Sequence, residues 1–381
     1  MKKIFCFILA GIILSLPAYA IDTLHGDDIK IAAPSAILME KDSGEIIYEK
    51  NSDEKMAPAS VTKVMTLLLI IEAVDRGDIS LEDTVTASAR AASFGGSFVF
   101  LEEGEQMSVH EMLKCIAVVS ANDCAVAMSE FLCGTEEAFV ERMNARAKEL
   151  GLESTHFKNC TGLFEDDEHY TTAHDIAVMS RELISHELIK DYTTIWMDSI
   201  RNGEFGLSNT NKLVYYYDGC TGLKTGFTEK AMYCLSATAE RDGTEYIAVI
   251  MHGETIDSRN EDAKTLLNYA FANYVSCSLR PPEVLPPVKV KMGSADSIQP
   301  MCSGNEKTLI PKQGSEDISY EVQLPDELYA PLEKGQQVGS LRVMRGDELI
   351  CEVPLVSDCS VSRADFAHIF TLLAESFIGL R

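Results

Sequence analysis

The stretch from Val61 to Arg76 constrains this chain more than any other. Val61 through Ile71 is apolar apart from two threonines and one lysine, and Gly77 is a natural stop for a helix. A helix that is apolar on every side has to be enclosed by other elements. Lys63 stands inside that run, where a charge is costly to bury and needs a reason. Ser60 precedes it by three residues, which places the two side chains one turn apart on one face. A serine hydroxyl is a weak nucleophile at neutral pH and needs an adjacent base. Lysine can serve if its pKa is pulled well below about 10.4, by burial or by a nearby cation. The helix N-terminus also offers a backbone N–H to developing negative charge. Taken alone, Ser60-Val61-Thr62-Lys63 also reads as a cap serine followed by a solvated lysine.

The start of the chain is a targeting segment. Lys2 and Lys3 precede an apolar run from Ile4 to Leu16, and Ala18-Tyr19-Ala20 is an A-x-A cleavage signal. The run is short for a membrane span. Residues 1–20 are therefore expected to be removed, leaving an exported protein. The formal charge of the full chain, −26 from 59 acidic and 33 basic residues, argues against nucleic acid as a partner and favours solubility. Export permits disulfides. However, Cys115, Cys124 and Cys234 fall at core-like positions, and free buried thiols are expected. Cys302, Cys351 and Cys359 are the candidates for a bridge.

The periodicity predicts an α+β chain. Ala36–Lys50 reads as a hairpin about Asp42-Ser43-Gly44. Ser108 and Glu111 form a capping box that opens a helix to about Val118. Further helices are expected over 122–132, from Thr135 to Gly151, over 172–189 and over 262–274. Strands 232–239 and 245–252 flank Asp242-Gly243, a hairpin signal. Pro281, Pro282, Pro286 and Pro287 mark a linker. Beyond it, short alternating segments read as a small all-β domain. Phe366, Ile369, Phe370, Leu373 and Phe377 give the tail a wide apolar face, expected to lie in the plane of a membrane surface. The expected units are a signal peptide (1–20), a catalytic domain (21–280), a β domain (281–360) and an anchor helix (361–381).

Two more short motifs complete the pattern. Ser120-Ala121-Asn122 sits at a polar break between two helices, where Ser120 can relay a proton and Asn122 can bond both the lysine and a substrate amide. Lys224-Thr225-Gly226 reads as a strand edge that can hold a substrate carboxylate, with Gly226 leaving room for close approach. Lys224 is also expected to supply the positive potential that depresses Lys63.

In this order, S-x-x-K, S-x-N and K-T-G closely resemble the motif set of the D-alanyl-D-alanine carboxypeptidases, the low-molecular-weight penicillin-binding proteins of the S11 peptidase type. Ala57-Pro58-Ala59-Ser60, Asn159 to Leu163, His169 to Asp175 and Asp218 to Thr228 strengthen the likeness. The resemblance implies an antiparallel sheet flanked by helices, of the kind serine β-lactamases and D,D-peptidases share. It implies Ser60 as nucleophile, Lys63 as general base, and Ser120 and Asn122 as proton relay and substrate guide. Lys224, Thr225 and Gly226 would bind substrate, and the backbone N–H groups of Ser60 and Phe227 would form the oxyanion hole. The substrate would be a peptidoglycan stem peptide, with β-lactam antibiotics as inhibitors and no metal or other cofactor.

Met232 stands where a glycine is expected in many relatives. A class A β-lactamase would need a positioned glutamate; Glu165 and Glu168 lie in the right part of the chain, but the E-x-x-L-N pattern is missing. A D,D-endopeptidase using the same site, or a non-catalytic wall-binding protein, are the other readings. His169, His174 and His252 could suggest a metal or a Ser-His-Asp triad, and His174-Asp175 reads as a helix-start pair.

Overall fold

The computed structural model describes residues 29–164, 166–304 and 306–365. The signal segment, nearly all of the apolar tail, Glu165 and Asn305 lie outside them. Among the described residues no helix is long and apolar enough to cross a membrane.

The Asp42-Ser43-Gly44 turn joins β1 (Ser35–Glu40) and β2 (Ile46–Lys50) in an antiparallel pair. The buried helix is α1 (Lys63–Asp75), entered through a 3-10 turn at Ala59–Thr62. Around it stand α2 (Val109–Val118), α3 (Asn122–Cys133), α4 (Glu136–Glu149) and α5 (Ala173–Ser185). The Ser108–Glu111 capping box opens α2 as expected, and Thr135 and Thr172 cap α4 and α5. Then come β3 (Cys220–Thr228), β4 (Met232–Arg241) and β5 (Thr244–Gly253), followed by α6 (Ile256–Asn273).

The five strands form one antiparallel sheet in the order β2-β1-β5-β4-β3. Alternate residues point to opposite faces. Ile37, Met39, Ile247, Val249 and Met251 pack into the helical lobe around α1. Ala36, Leu38, Ala237, Tyr246 and Ile250 pack against Ala263, Leu266, Leu267 and Ala270 of α6. Because both faces are covered, β5 is a nearly continuous apolar run instead of an alternating one.

Helix α6 starts earlier than its sequence pattern suggests. Thr255 and Ser258 form a capping box, and the polar first turns, Asp257 to Glu261, carry no apolar stripe. Asp262 accepts the N–H groups of Ala32 and Ala33 at 3.0 and 2.8 Å, tying the incoming chain to this helix.

Among the described residues that follow, the regular elements are strands apart from a 3-10 turn at Ser315–Asp317. Strand β6 (Tyr274–Ser278) follows α6, then β7 (Val288–Lys291), β8 (Pro300–Cys302), β9 (Lys307–Pro311), β10 (Ile318–Gln323), β11 (Gln337–Arg345) and β12 (Glu348–Ser357). β6 pairs with β9, ahead of the proline-rich segment, and β8-β12-β11-β10 form a sheet over Leu341, Val343 and Leu355. All ten described cysteines are free, with Cys115, Cys124 and Cys234 fully buried. Cys302, Cys351 and Cys359 form no bridge.

Candidate active site

The 3-10 turn holds Ser60 half-exposed at the mouth of α1, with Lys63 wholly buried beneath it. Lys63 Nζ lies 3.0 Å from Ser60 Oγ, 2.6 Å from Asn122 Oδ1 and 2.8 Å from the Thr161 carbonyl oxygen. The last two atoms can only accept hydrogen bonds. A neutral amine donates its two N–H bonds to them and turns its lone pair toward the serine hydroxyl. Burial brings Lys63 down to about 7, against Cys160 and Asp123, which act the other way. Burial, the first of the two causes considered from the sequence, is the larger one.

Ser120 and Asn122 flank this pair at the junction of α2 and α3. Ser120 has φ 64, a left-handed conformation that is uncommon outside glycine. Its hydroxyl is buried without a partner among the described residues. Asn122 is held at both ends: its Nδ2 donates to the Gly95 carbonyl at 2.7 Å and its backbone N–H to that of Ser97 at 2.7 Å.

The third side is β3, the edge strand. Lys224 is almost fully buried and donates to the Thr225 carbonyl at 3.0 Å. Burial first, then the neighbouring charges of Lys63 and Arg259, hold its ammonium well below the usual lysine range. Thr225 Oγ1 donates to Thr210 Oγ1 at 2.9 Å. A Cβ on Gly226 would lie 2.8 Å from the Pro58 carbonyl oxygen and 3.0 Å from the Val61 nitrogen. The missing side chain thus lets β3 close on the serine turn, filling space that the sequence reading kept for substrate. Phe227 follows, 53% exposed and stacked on Tyr233 at 4.4 Å. Met232, across the hairpin, has φ 51, which accounts for the glycine expected there.

Two groups that support the site lie in stretches the sequence singled out without assigning them this role. The loop 159–163 brings in the Thr161 carbonyl. Asn159 Oδ1 accepts the N–H groups of Thr161 and Gly162 at 3.2 and 2.6 Å, and Gly162, at φ +73, lies so close that a Cβ would fall 1.8 Å from the Ala59 carbonyl oxygen. His169 supports the turn from below. Its Nδ1 accepts the Lys158 N–H at 3.1 Å, so the neutral ring donates from Nε2 to Thr62 Oγ1 at 2.8 Å. Burial, helped by His156, lowers His169 to about 4, which keeps it neutral. His174 pairs with Asp175 at 3.3 Å at the start of α5. Glu168 is exposed and paired with Lys158 at 2.8 Å. Among the described residues one group, Glu72, Glu182 and His186, has metal-ligand spacing. Arg146 already bridges its two carboxylates, and Asp75 bonds the imidazole.

A hydroxyl with a buried amine at 3.0 Å, beside a strand carrying a second lysine, is equipped for base-assisted acyl transfer. Residues 22–255 match the family model for D-alanyl-D-alanine carboxypeptidase, and 283–363 match that for the penicillin-binding protein 5 C-terminal domain. The chain is 41% identical to D-alanyl-D-alanine carboxypeptidase DacF of Bacillus subtilis over 376 residues, 96% of each protein. Its structure resembles penicillin-binding protein 5 from Haemophilus influenzae with a TM-score of 0.77 at 28% identity, covering 88% of this chain and 98% of that one. It also resembles penicillin-binding protein D2 from Listeria monocytogenes in its ampicillin-bound form, with a TM-score of 0.58 at 31% identity, covering 63% of this chain and 98% of that one. With both halves matched by family models and the serine, lysine and asparagine in contact, the chain belongs to the D-alanyl-D-alanine carboxypeptidase family, the S11 peptidases.

Proposed function

We propose that the protein removes the terminal D-alanine from peptidoglycan stem peptides through an acyl-enzyme on Ser60. The contact of Lys63 Nζ with Ser60 Oγ, its other two partners being pure acceptors, carries this reading. Lys63 takes the hydroxyl proton as Oγ attacks the carbonyl carbon of the penultimate D-alanine. The N–H groups of Ser60 and Phe227 receive the oxyanion. The peptide C–N bond then breaks, and the departing D-alanine amine gains from Lys63, through the Ser120 hydroxyl, the proton taken from Ser60, while Asn122 orients the lysine and the substrate amide. Lys224 and Thr225 hold the terminal carboxylate, and Gly226 keeps their strand against the serine turn. Water, activated by the same lysine, hydrolyses the ester and restores Ser60. A β-lactam enters as a substrate mimic and stays at the ester stage; ampicillin in the Listeria relative supports this.

In the same reading, residues 1–20 direct export, 21–280 form the catalytic domain, and 281–360 form a spacer. Residues 361–381 lie on the outer face of the cytoplasmic membrane. The test is D-alanine release from diacetyl-Lys-D-Ala-D-Ala by the mature protein and by Ser60→Ala. Release by the first alone is expected. No release by either, with fluorescent penicillin still labelling Ser60, would replace this reading with a crosslink-cleaving enzyme. Absence of both release and labelling would leave a wall-binding protein.

A further inference from the structure

Beside the substrate strand lies an aromatic cluster that the chemistry above does not use. Trp196 and Tyr215 have ring centroids 5.2 Å apart, and Tyr215 and Tyr216 4.9 Å apart at 87° to each other. Tyr215 is 62% and Tyr216 70% exposed, and Trp196 is half-buried. Grouped exposed aromatics of this kind mark interaction sites. The cluster is built onto the site's own frame. Asn209 donates its backbone N–H to the Trp196 carbonyl at 2.9 Å, while Asn211 donates its amide to the Gly222 carbonyl of β3 at 2.8 Å. Thr210, between them, accepts from Thr225.

Two phenol rings at right angles form a corner with apolar walls and hydroxyl rims. A pyranose has the complementary form, C–H bonds across its face and hydroxyls around its edge. An anionic lipid surface fits poorly, because the chain carries a formal charge of −26. We propose that Trp196, Tyr215 and Tyr216 form a platform for a pyranose of the wall glycan that bears the stem peptide. This rests on the proposed function and extends it from peptide to glycan-linked substrate.

Trp196 is the only tryptophan of the chain, so its emission reports the platform directly. The mature protein is titrated with chitotetraose, a glycan carrying no peptide. A saturable emission change is expected, and its loss in the Tyr215→Ala/Tyr216→Ala variant. That variant should lose about tenfold in kcat/KM on a disaccharide-pentapeptide, a change of the size two stacking contacts supply. On diacetyl-Lys-D-Ala-D-Ala its kcat/KM and its penicillin acylation should be unchanged. An absent emission change in the parent protein overturns the platform, as does an equal effect of the variant on both substrates. A response to anionic phospholipid vesicles but not to sugar assigns the rings to a membrane surface and also overturns it. Sugar-dependent emission without hydrolysis of either substrate supports the platform while the peptidase reading fails.

Discussion

If Lys63 is the base, its protonation should govern acylation of Ser60. The side chain is fully buried and lowered from an ordinary 10.5 to about 7. With fluorescent penicillin as the probe, the acylation rate should rise about tenfold per pH unit below 7 and level off above it. Lys63→Arg keeps the charge but cannot be deprotonated at these pH values. It should slow acylation by about 10²- to 10⁴-fold and abolish the pH dependence. The same group affects stability. Between pH 7 and 10.5 the unfolded chain binds a proton at Lys63 that the folded protein releases, so stability rises with pH across that window. At about 1.4 kcal/mol per pH unit the full rise is about 5 kcal/mol, complete only above 10.5 and absent below 7. Urea unfolding of the parent protein and Lys63→Met at pH 7 and pH 10 isolates it, the parent gaining most of that amount relative to the variant. A flat acylation profile between pH 6 and 9, or Lys63→Arg acylating within tenfold of the parent, would refute the reasoning.

Gly162→Ala should lower stability by at least about 2 kcal/mol, measured by thermal unfolding, because its Cβ would fall 1.8 Å from the Ala59 carbonyl oxygen at a left-handed φ. Gly226→Ala should slow penicillin acylation by about tenfold or more while the fold persists, since its Cβ pushes β3 from the serine turn. In the unreduced mature protein, thiol titration after denaturation should count every described cysteine as free. Before denaturation, Cys124, Cys160 and Cys234 should react slowly, because burial raises all three thiols.

Most of the catalytic half was legible because its signals are local. The apolar run at Val61–Ile71, the Ser108–Glu111 box and the Asp242-Gly243 turn each stand in their expected elements. The early start of α6 was hidden because Asp257 to Glu261 are polar, although Arg259 is buried by tertiary packing. The short motifs carried Ser60, Lys63, Asn122 and Lys224 into one region. The Thr161 carbonyl could not be read in advance, because every residue offers the same backbone oxygen and only the fold decides which one meets Lys63. Thr210 was missed for a related reason: a lone threonine has no motif, and only its contact with Thr225 singles it out. Gly226 was recognised as a place of close approach, but the approaching surface is the protein's own serine turn.

The strand order has a consequence for how the protein is made. β1 is synthesised early, but it lies between its hairpin mate β2 and β5, with Ser35 paired to Met251. The turn that carries Ser60 is likewise held by β3, synthesised long after it. A nascent chain halted before Cys220 has neither β5 beside β1 nor β3 locked against the Ser60 turn. Closure over such a sequence separation is slow and exposes apolar surface meanwhile. Activity should therefore appear in one step as the last strands dock, and a fragment ending within α5 should be an aggregation hazard instead of a weak enzyme.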